Sequence, residues 1–137
     1  MPSARFLIFL GSLLVSGAAL SAAEEAAPQE AEKQPALFHK LTPSLITNVQ
    51  GSAGYVRCDV QLMTRGDAKL EQLALHQAAL RHELLLLLGD QQSDVVKTPK
   101  GKEKLRKKAL KAVNGVMENF DCSECVDDLY FTGFFVQ

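Results

Sequence analysis

The stretch Val126-Asp-Asp-Leu-Tyr-Phe-Thr-Gly-Phe-Phe-Val-Gln137 decides how the rest of the chain must fold. Side chains of an extended segment alternate between two faces. Leu129, Phe131 and Phe135 therefore share one face, and Tyr130, Phe134 and Val136 the other. Aromatic and β-branched residues at this density favour strand. A helix would put Gly133 in its interior and leave the segment without a polar side. Apolar character on both faces predicts a strand covered on both sides, so earlier segments must supply its sheet neighbours.

Upstream, Ser44-Leu-Ile-Thr-Asn-Val49 reads as a strand, with Pro43 just ahead of it, where proline is tolerated. Gly51-Ser-Ala-Gly54 is a turn. Tyr55 to Met63 then alternates, with Val56, Cys58, Val60 and Leu62 on one face and Arg57, Asp59 and Gln61 on the other. The two runs predict a hairpin, and Cys58 falls on its apolar side as a core thiol. Asp67 is the expected N-cap of a first helix. Its apolar stripe runs Leu70, Leu73, Leu80, Leu84, Leu87, interrupted by Gln77, and Gly89 is the expected terminator. Leu84 to Leu88 is apolar all round and needs deep burial or a covering partner. Thr98-Pro99 opens a second helix as N-cap and first residue, with Leu105, Ala109, Ala112, Val113, Val116 and Phe120 as its stripe.

The fold class that follows is α+β: strand, strand, helix, helix, strand, with two helices packed on a small, largely antiparallel sheet. Sheet edges and a leucine-rich helix end would be poorly covered in one copy, so self-association into a homo-oligomer is expected.

The chain has 137 residues, 47% of them hydrophobic and 23% charged, with a net charge of −1. That balance fits one globular domain and gives no reason to expect nucleic acid or an anionic membrane as the main partner. Residues 1–23 hold Arg5, an apolar run from Phe6 to Leu20, and Ser21-Ala22-Ala23. They read as a signal peptide, with Ser21 and Ala23 at the cleavage-site positions, or as an uncleaved membrane anchor. Either reading puts Glu24 onward outside the cytoplasmic membrane. Residues 24–36 form an acidic Ala/Pro linker that cannot bury a core, leaving 37–137 as the folded domain.

Chemistry-bearing residues are sparse. His76 and His82 are six apart, which on a helix does not make a metal pair, and neither a metal site nor a cofactor is expected. Cys122-Ser-Glu-Cys125 follows a helix C-terminus and sits among Asp121, Glu124, Asp127 and Asp128, which oppose thiolate formation. A local disulfide or two idle thiols fits this setting, with a thiol/disulfide protein as the alternative reading. No second Cys pair supplies a zinc site, and no catalytic grouping is visible. The second helix carries Lys100, Lys102, Lys104, Arg106, Lys107, Lys108 and Lys111 against a single Glu103. Lys100, Lys104, Lys107, Lys108 and Lys111 are the candidate partner face, for an acidic partner or lipid headgroups, or else a solvated helix side. Without interleaved aromatics, the face does not suit nucleic acid.

From about Tyr55 onward the chain resembles the FliL family of flagellar basal body-associated proteins. Arg81-His-Glu is similar to a block in the family's first helix. Val96-Lys-Thr-Pro-Lys-Gly-Lys-Glu-Lys-Leu-Arg106 resembles its Thr-x-x-Gly-[Lys/Arg]-x-x-Leu-[Arg/Lys] helix start. Val113-Asn114 follows at the matching place, and Asp128 to Gln137 resembles its closing strand. The resemblance implies a non-enzymatic, stomatin-like domain on the periplasmic side of the inner membrane. It also implies assembly as a homo-oligomer around flagellar stator units at the basal body, supporting torque, swarming and chemotaxis. A scaffold for another envelope complex is the alternative. Arg81, Gly101, Leu105, Phe131 and Gln137 become family-pattern structural positions. Gly101 is expected where a side chain would crowd the helix start against the sheet. The Cys122/Cys125 pair and the basic helix stand outside the pattern.

Overall fold

The computed structural model describes residues 34–52 and 54–137. The signal or anchor segment 1–23, and the linker as far as residue 33, lie outside the described residues. In chain order the elements are β1 (Ala36–Lys40), β2 (Leu45–Asn48), β3 (Tyr55–Arg65), α1 (Asp67–Leu75), α2 (Gln77–Gly89), α3 (Ser93–Val96), α4 (Pro99–Glu118) and β4 (Asp128–Val136). The domain is α+β. Strand β3 is the centre of the sheet, with β4 antiparallel along one edge. Its other edge is shared by β2, from Leu45 opposite Cys58, and β1, from Ala36 opposite Arg65. A short crossover at Leu41–Ser44, with a cis Thr42–Pro43 bond, separates β1 from β2.

The alternation in β3 holds: Val56, Cys58, Val60 and Leu62 are fully buried, joined by Thr64. Leu73, Leu80, Leu84 and Leu88 from α1 and α2 pack against that face, as do Leu105, Ala109, Val113 and Met117 from α4. Each such leucine contributes about 2 kcal/mol of burial free energy.

Strand β4 departs from the simple alternation. Gly133 lies opposite Asp59 and Phe131 opposite Val60, so Thr132 is an extra residue, a β-bulge. The bulge resets the alternation. Leu129, Phe131, Phe134 and Val136 all face the helices, while Tyr130 and Phe135 face away. Phe134, Phe135 and Val136, all beyond the bulge, are thus the reverse of the simple reading. The strand is also not covered on both sides. Phe38, Ile46 and Phe135 on the outer face are 51%, 58% and 53% exposed. Gly133 leaves room at the bulge for the Asp59 carboxylate, which a Cβ there would approach to 2.8 Å and displace.

Strand β1 was not expected from the pattern, since its few residues are cut off by the crossover. The expected first helix is two helices, broken at His76 (φ −103°, ψ 19°). Gln77, the polar residue inside the leucine stripe, directly follows the break. Its Oε1 lies 2.9 Å from His39 Nε2 and its Nε2 donates to the Thr42 carbonyl at 3.1 Å. The Arg81 guanidinium donates to the Pro43 carbonyl. The start of α2 therefore satisfies crossover groups that the sheet does not.

Smaller differences follow the same logic. Gly66, at φ 92°, is the N-cap of α1 and Asp67 its first helical residue. Gly89 is the last residue of α2, with Asp90 as cap. Leu88 rather than Leu87 is fully buried, and Leu86 remains 56% exposed. Thr98 caps α4 as expected, its Oγ1 accepting from the Gly101 amide at 3.0 Å, with Pro99 in the first turn. The buried seam of α4 is Gly101, Leu105, Ala109, Val113, Met117, a strict four-residue spacing. Phe120 leaves the core and stacks on His76 at 3.7 Å.

Candidate functional site

Three regions hold the residues singled out by sequence. The first is the segment joining α4 to β4. Asp121 and Glu124 adopt left-handed backbone (φ 59° and 48°). The Cys122 amide turns back onto the Met117 carbonyl at 3.0 Å, closing α4. Cys122 and Cys125 are disulfide-bonded, with Cα atoms 5.3 Å apart, and Cys125 is fully buried. Thr64 Oγ1 donates to the Cys125 carbonyl at 2.7 Å, and Lys69 Nζ to the Glu124 carbonyl at 3.0 Å. Asn114 on α4 grips Val126 from both sides, Nδ2 to its carbonyl and Oδ1 to its amide, each at 2.9 Å. Sequence gave Asn114 only as part of a family pattern. Its clamp could have been suspected from a polar residue beside the apolar seam.

The disulfide closes a four-residue loop, which confines the unfolded chain by about 2 kcal/mol. Replacing both cysteines by alanine is expected to lower stability by about that amount in urea denaturation. The fold should survive, because Thr64, Lys69 and Asn114 still hold the segment. Cys58 is a buried free thiol pushed up to about 12, first by burial and then by Asp59. It is a core residue with no thiolate at neutral pH.

The second region is the sheet-facing side of α4. Arg106 was read as part of the basic face, but it turns toward the sheet. It pairs with Glu103 at 2.7 Å and Asp128 at 2.5 Å, and donates to the Leu129 carbonyl at 3.2 Å. Its hydrogen bond to Glu103, joined by the Asp128 charge, raises the guanidinium further above its ordinary range. The Arg106 hydrogen bond holds the Glu103 carboxyl below its usual value of 4.5. For Asp128, burial pushes upward, but the Leu129 amide, Tyr130 and Arg106 together leave it below 3.8. A lowered carboxyl pKa contributes stability that is present above the unfolded value and lost as pH falls through the folded one. Acidification below 4.5 and then 3.8 is therefore expected to cost wild type more stability than Arg106→Gln. Urea midpoints measured against pH for the two proteins check this.

The third region is the solvent side of α4, where Lys100, Lys104, Lys107, Lys108 and Lys111 are all exposed. Among the described residues none of the five enters an ion pair. Lys102 sits apart, over the Phe134 ring at 5.3 Å.

The family-pattern residues serve the fold. Arg81 holds the crossover, and Leu105 is buried in the seam. Phe131 packs on Phe134 at 5.2 Å. Gln137 exchanges backbone hydrogen bonds with Tyr55 and accepts from its hydroxyl at 3.1 Å. Gly101 is buried as expected, but its neighbour is different. A Cβ there would lie 1.8 Å from the Val95 carbonyl oxygen of α3, so α3 and not the sheet forbids a side chain.

His39 meets Gln77, His76 meets Phe120, and His82 is exposed, so the histidines are dispersed. Among the described residues no group of three His, Cys, Asp or Glu is arranged to hold a metal, and no helix is long and apolar enough to cross a membrane.

Comparison with known proteins accords with the arrangement. A protein named Flagellar protein FliL from Aquifex aeolicus (strain VF5) is 27% identical over 113 residues, covering 81% of this chain and 68% of that protein. The family model described as Flagellar basal body-associated protein FliL matches residues 38–137, from within β1 to Gln137. Spanning all but the first strand residues of the described domain, that match means the chain belongs to the FliL family of flagellar basal body-associated proteins.

Proposed function

We propose that this protein is a non-enzymatic accessory of the flagellar motor. It sits on the periplasmic side of the inner membrane, where it supports stator placement and torque as a homo-oligomer. The observation that carries the reading is the family match over residues 38–137, nearly all of the α+β domain. The pattern residues support it by their duties. Arg81, Gly101, Leu105, Phe131 and Gln137 hold secondary-structure elements together, so the family pattern is read here as a pattern of the fold. Ile46 and Phe135, either side of Arg57, and Phe38, beside Met63, are exposed apolar side chains on the outer sheet face that assembly would cover. A redox role for Cys122 and Cys125 is disfavoured by the burial of Cys125 and the hydrogen bonding that holds its segment in place.

The test is a deletion strain observed swimming and swarming in media of rising viscosity, with filaments counted by microscopy. Normal filament number with motility failing as load rises is the expected result. Motility unchanged at every load would exclude a stator-supporting role and favour a scaffold for another envelope complex.

A further inference from the structure

The charge of this chain is unevenly spread. Of its fifteen Lys and Arg residues, eight fall between Lys97 and Lys111, where Glu103 is the only acidic residue. The remainder of the chain is acidic by a similar margin, so the near-neutral total conceals one strongly basic segment. On α4, Arg106 neutralises Glu103 and turns to Asp128, which leaves lysine as the charged residue on the solvent side from Lys100 to Lys111, with the exposed Glu118 two turns further along. Lys100, Lys104, Lys107, Lys108 and Lys111 recur at intervals of four, three, one and three, so they share one stripe. The rise from Lys100 to Lys111 makes that stripe about 16 Å long.

The residue type narrows the occupant. Protein interfaces select arginine and aromatic residues, and lysine is depleted from them. Arginine binds planar partners through a rigid fork, whereas the lysine ammonium is a compact, strongly hydrated point charge. Here the one arginine of the helix is committed inward, and no aromatic side chain lies among the five lysines. Such a surface suits a flat, fluid array of anionic groups that needs no shape matching. We propose that the lysine stripe of α4 adsorbs to the anionic headgroups of a phospholipid bilayer, so that the domain lies with this helix along the membrane. The inference rests on the membrane-side placement proposed above, and its test is separable from that placement.

The full chain is mixed with vesicles of phosphatidylcholine, with or without phosphatidylglycerol. A membrane-impermeant amine-acylating reagent is added, and modification of each lysine is read by mass spectrometry. On the anionic vesicles the five stripe lysines are expected to react several-fold more slowly and to recover at high salt, because exposed charges are screened within about 8 Å at physiological ionic strength. Lys40 and Lys69, outside the stripe, should react alike on both vesicles. Replacing Lys107 and Lys108 by Gln should abolish most of the protection of the other three, at roughly fivefold in affinity per lysine. Equal reactivity on neutral and anionic vesicles overturns the proposal. Protection that is independent of lipid charge also overturns it and assigns the stripe to contact between copies. Pelleting of the chain with neutral vesicles reads the N-terminal tether separately, so failure of the stripe leaves the flagellar reading standing.

Discussion

Gly101→Val is expected to lower the stability of this domain by about 4 kcal/mol or more, and Gly101→Ala to cost nearly as much. The reason is geometric. A Cβ at this position would sit 1.8 Å from the Val95 carbonyl oxygen, 2.7 Å from its carbon, and 2.8 Å from Thr98 Oγ1. The first two are backbone atoms, so no rotamer change relieves the clash, and α4 must move away from α3. That movement breaks the Thr98 cap, worth about 1 kcal/mol. It also loosens Leu105, one turn further along the buried seam, whose full burial contributes about 2 kcal/mol. The same helix carries its own control. A Cβ at the exposed Gly115 meets nothing within 4 Å, so Gly115→Ala should raise stability by about 1 kcal/mol through helix propensity alone. Urea denaturation of the three variants decides the matter. Gly101→Ala within about 1 kcal/mol of wild type would show that the two elements separate freely and that this glycine is not what joins them.

Most of this architecture is written in local pattern. The alternation of β3 and the Thr98-Pro99 start of α4 are signals carried by neighbouring residues, so they are legible without a structure. What was misread depends on partners distant in sequence. Thr132 is a good strand residue, and Gly133 beside it, a residue that often marks a bulge, does not say where the extra residue falls. What places it is the pairing of Gly133 with Asp59 and of Phe131 with Val60, on a strand distant in sequence. The interruption at His76 is similar. Gln77 looked like a flaw in a leucine stripe until the Thr42 carbonyl and His39 were placed against it. Arg106 looked like one more basic residue on a basic helix, because Asp128 is two elements' boundaries away in sequence. The family pattern marked Gly101, but the carbonyl that makes it necessary belongs to a short helix that sequence did not reveal. The lysine stripe, in contrast, was legible in full, since helical spacing alone places five charges on one side.

Asn114→Ala is the second large effect, expected at about 3 kcal/mol. Val126 is almost fully buried, and Asn114 supplies the partner for both its amide and its carbonyl. Truncation removes two hydrogen bonds, worth about 1 kcal/mol each, and leaves two buried backbone groups unpaired, a further 1–3 kcal/mol in all. Better helix propensity for alanine returns roughly half a kcal/mol. Asn114→Asp separates the two halves of the clamp. It keeps an acceptor for the Val126 amide but sets an oxygen against the Val126 carbonyl, so it should be no better than alanine at neutral pH. The consequence should reach β4, which begins two residues later at Asp128. Hydrogen exchange at Asp127 and Leu129 is expected to quicken in Asn114→Ala, while the centre of β3 stays protected. Combined with loss of the Cys122–Cys125 disulfide, the cost should exceed the sum of the two, because each constraint holds the segment when the other is gone. A simple sum would mean that the clamp and the disulfide act on independent parts of the chain, and that Thr64 and Lys69 already suffice to seat β4 against β3.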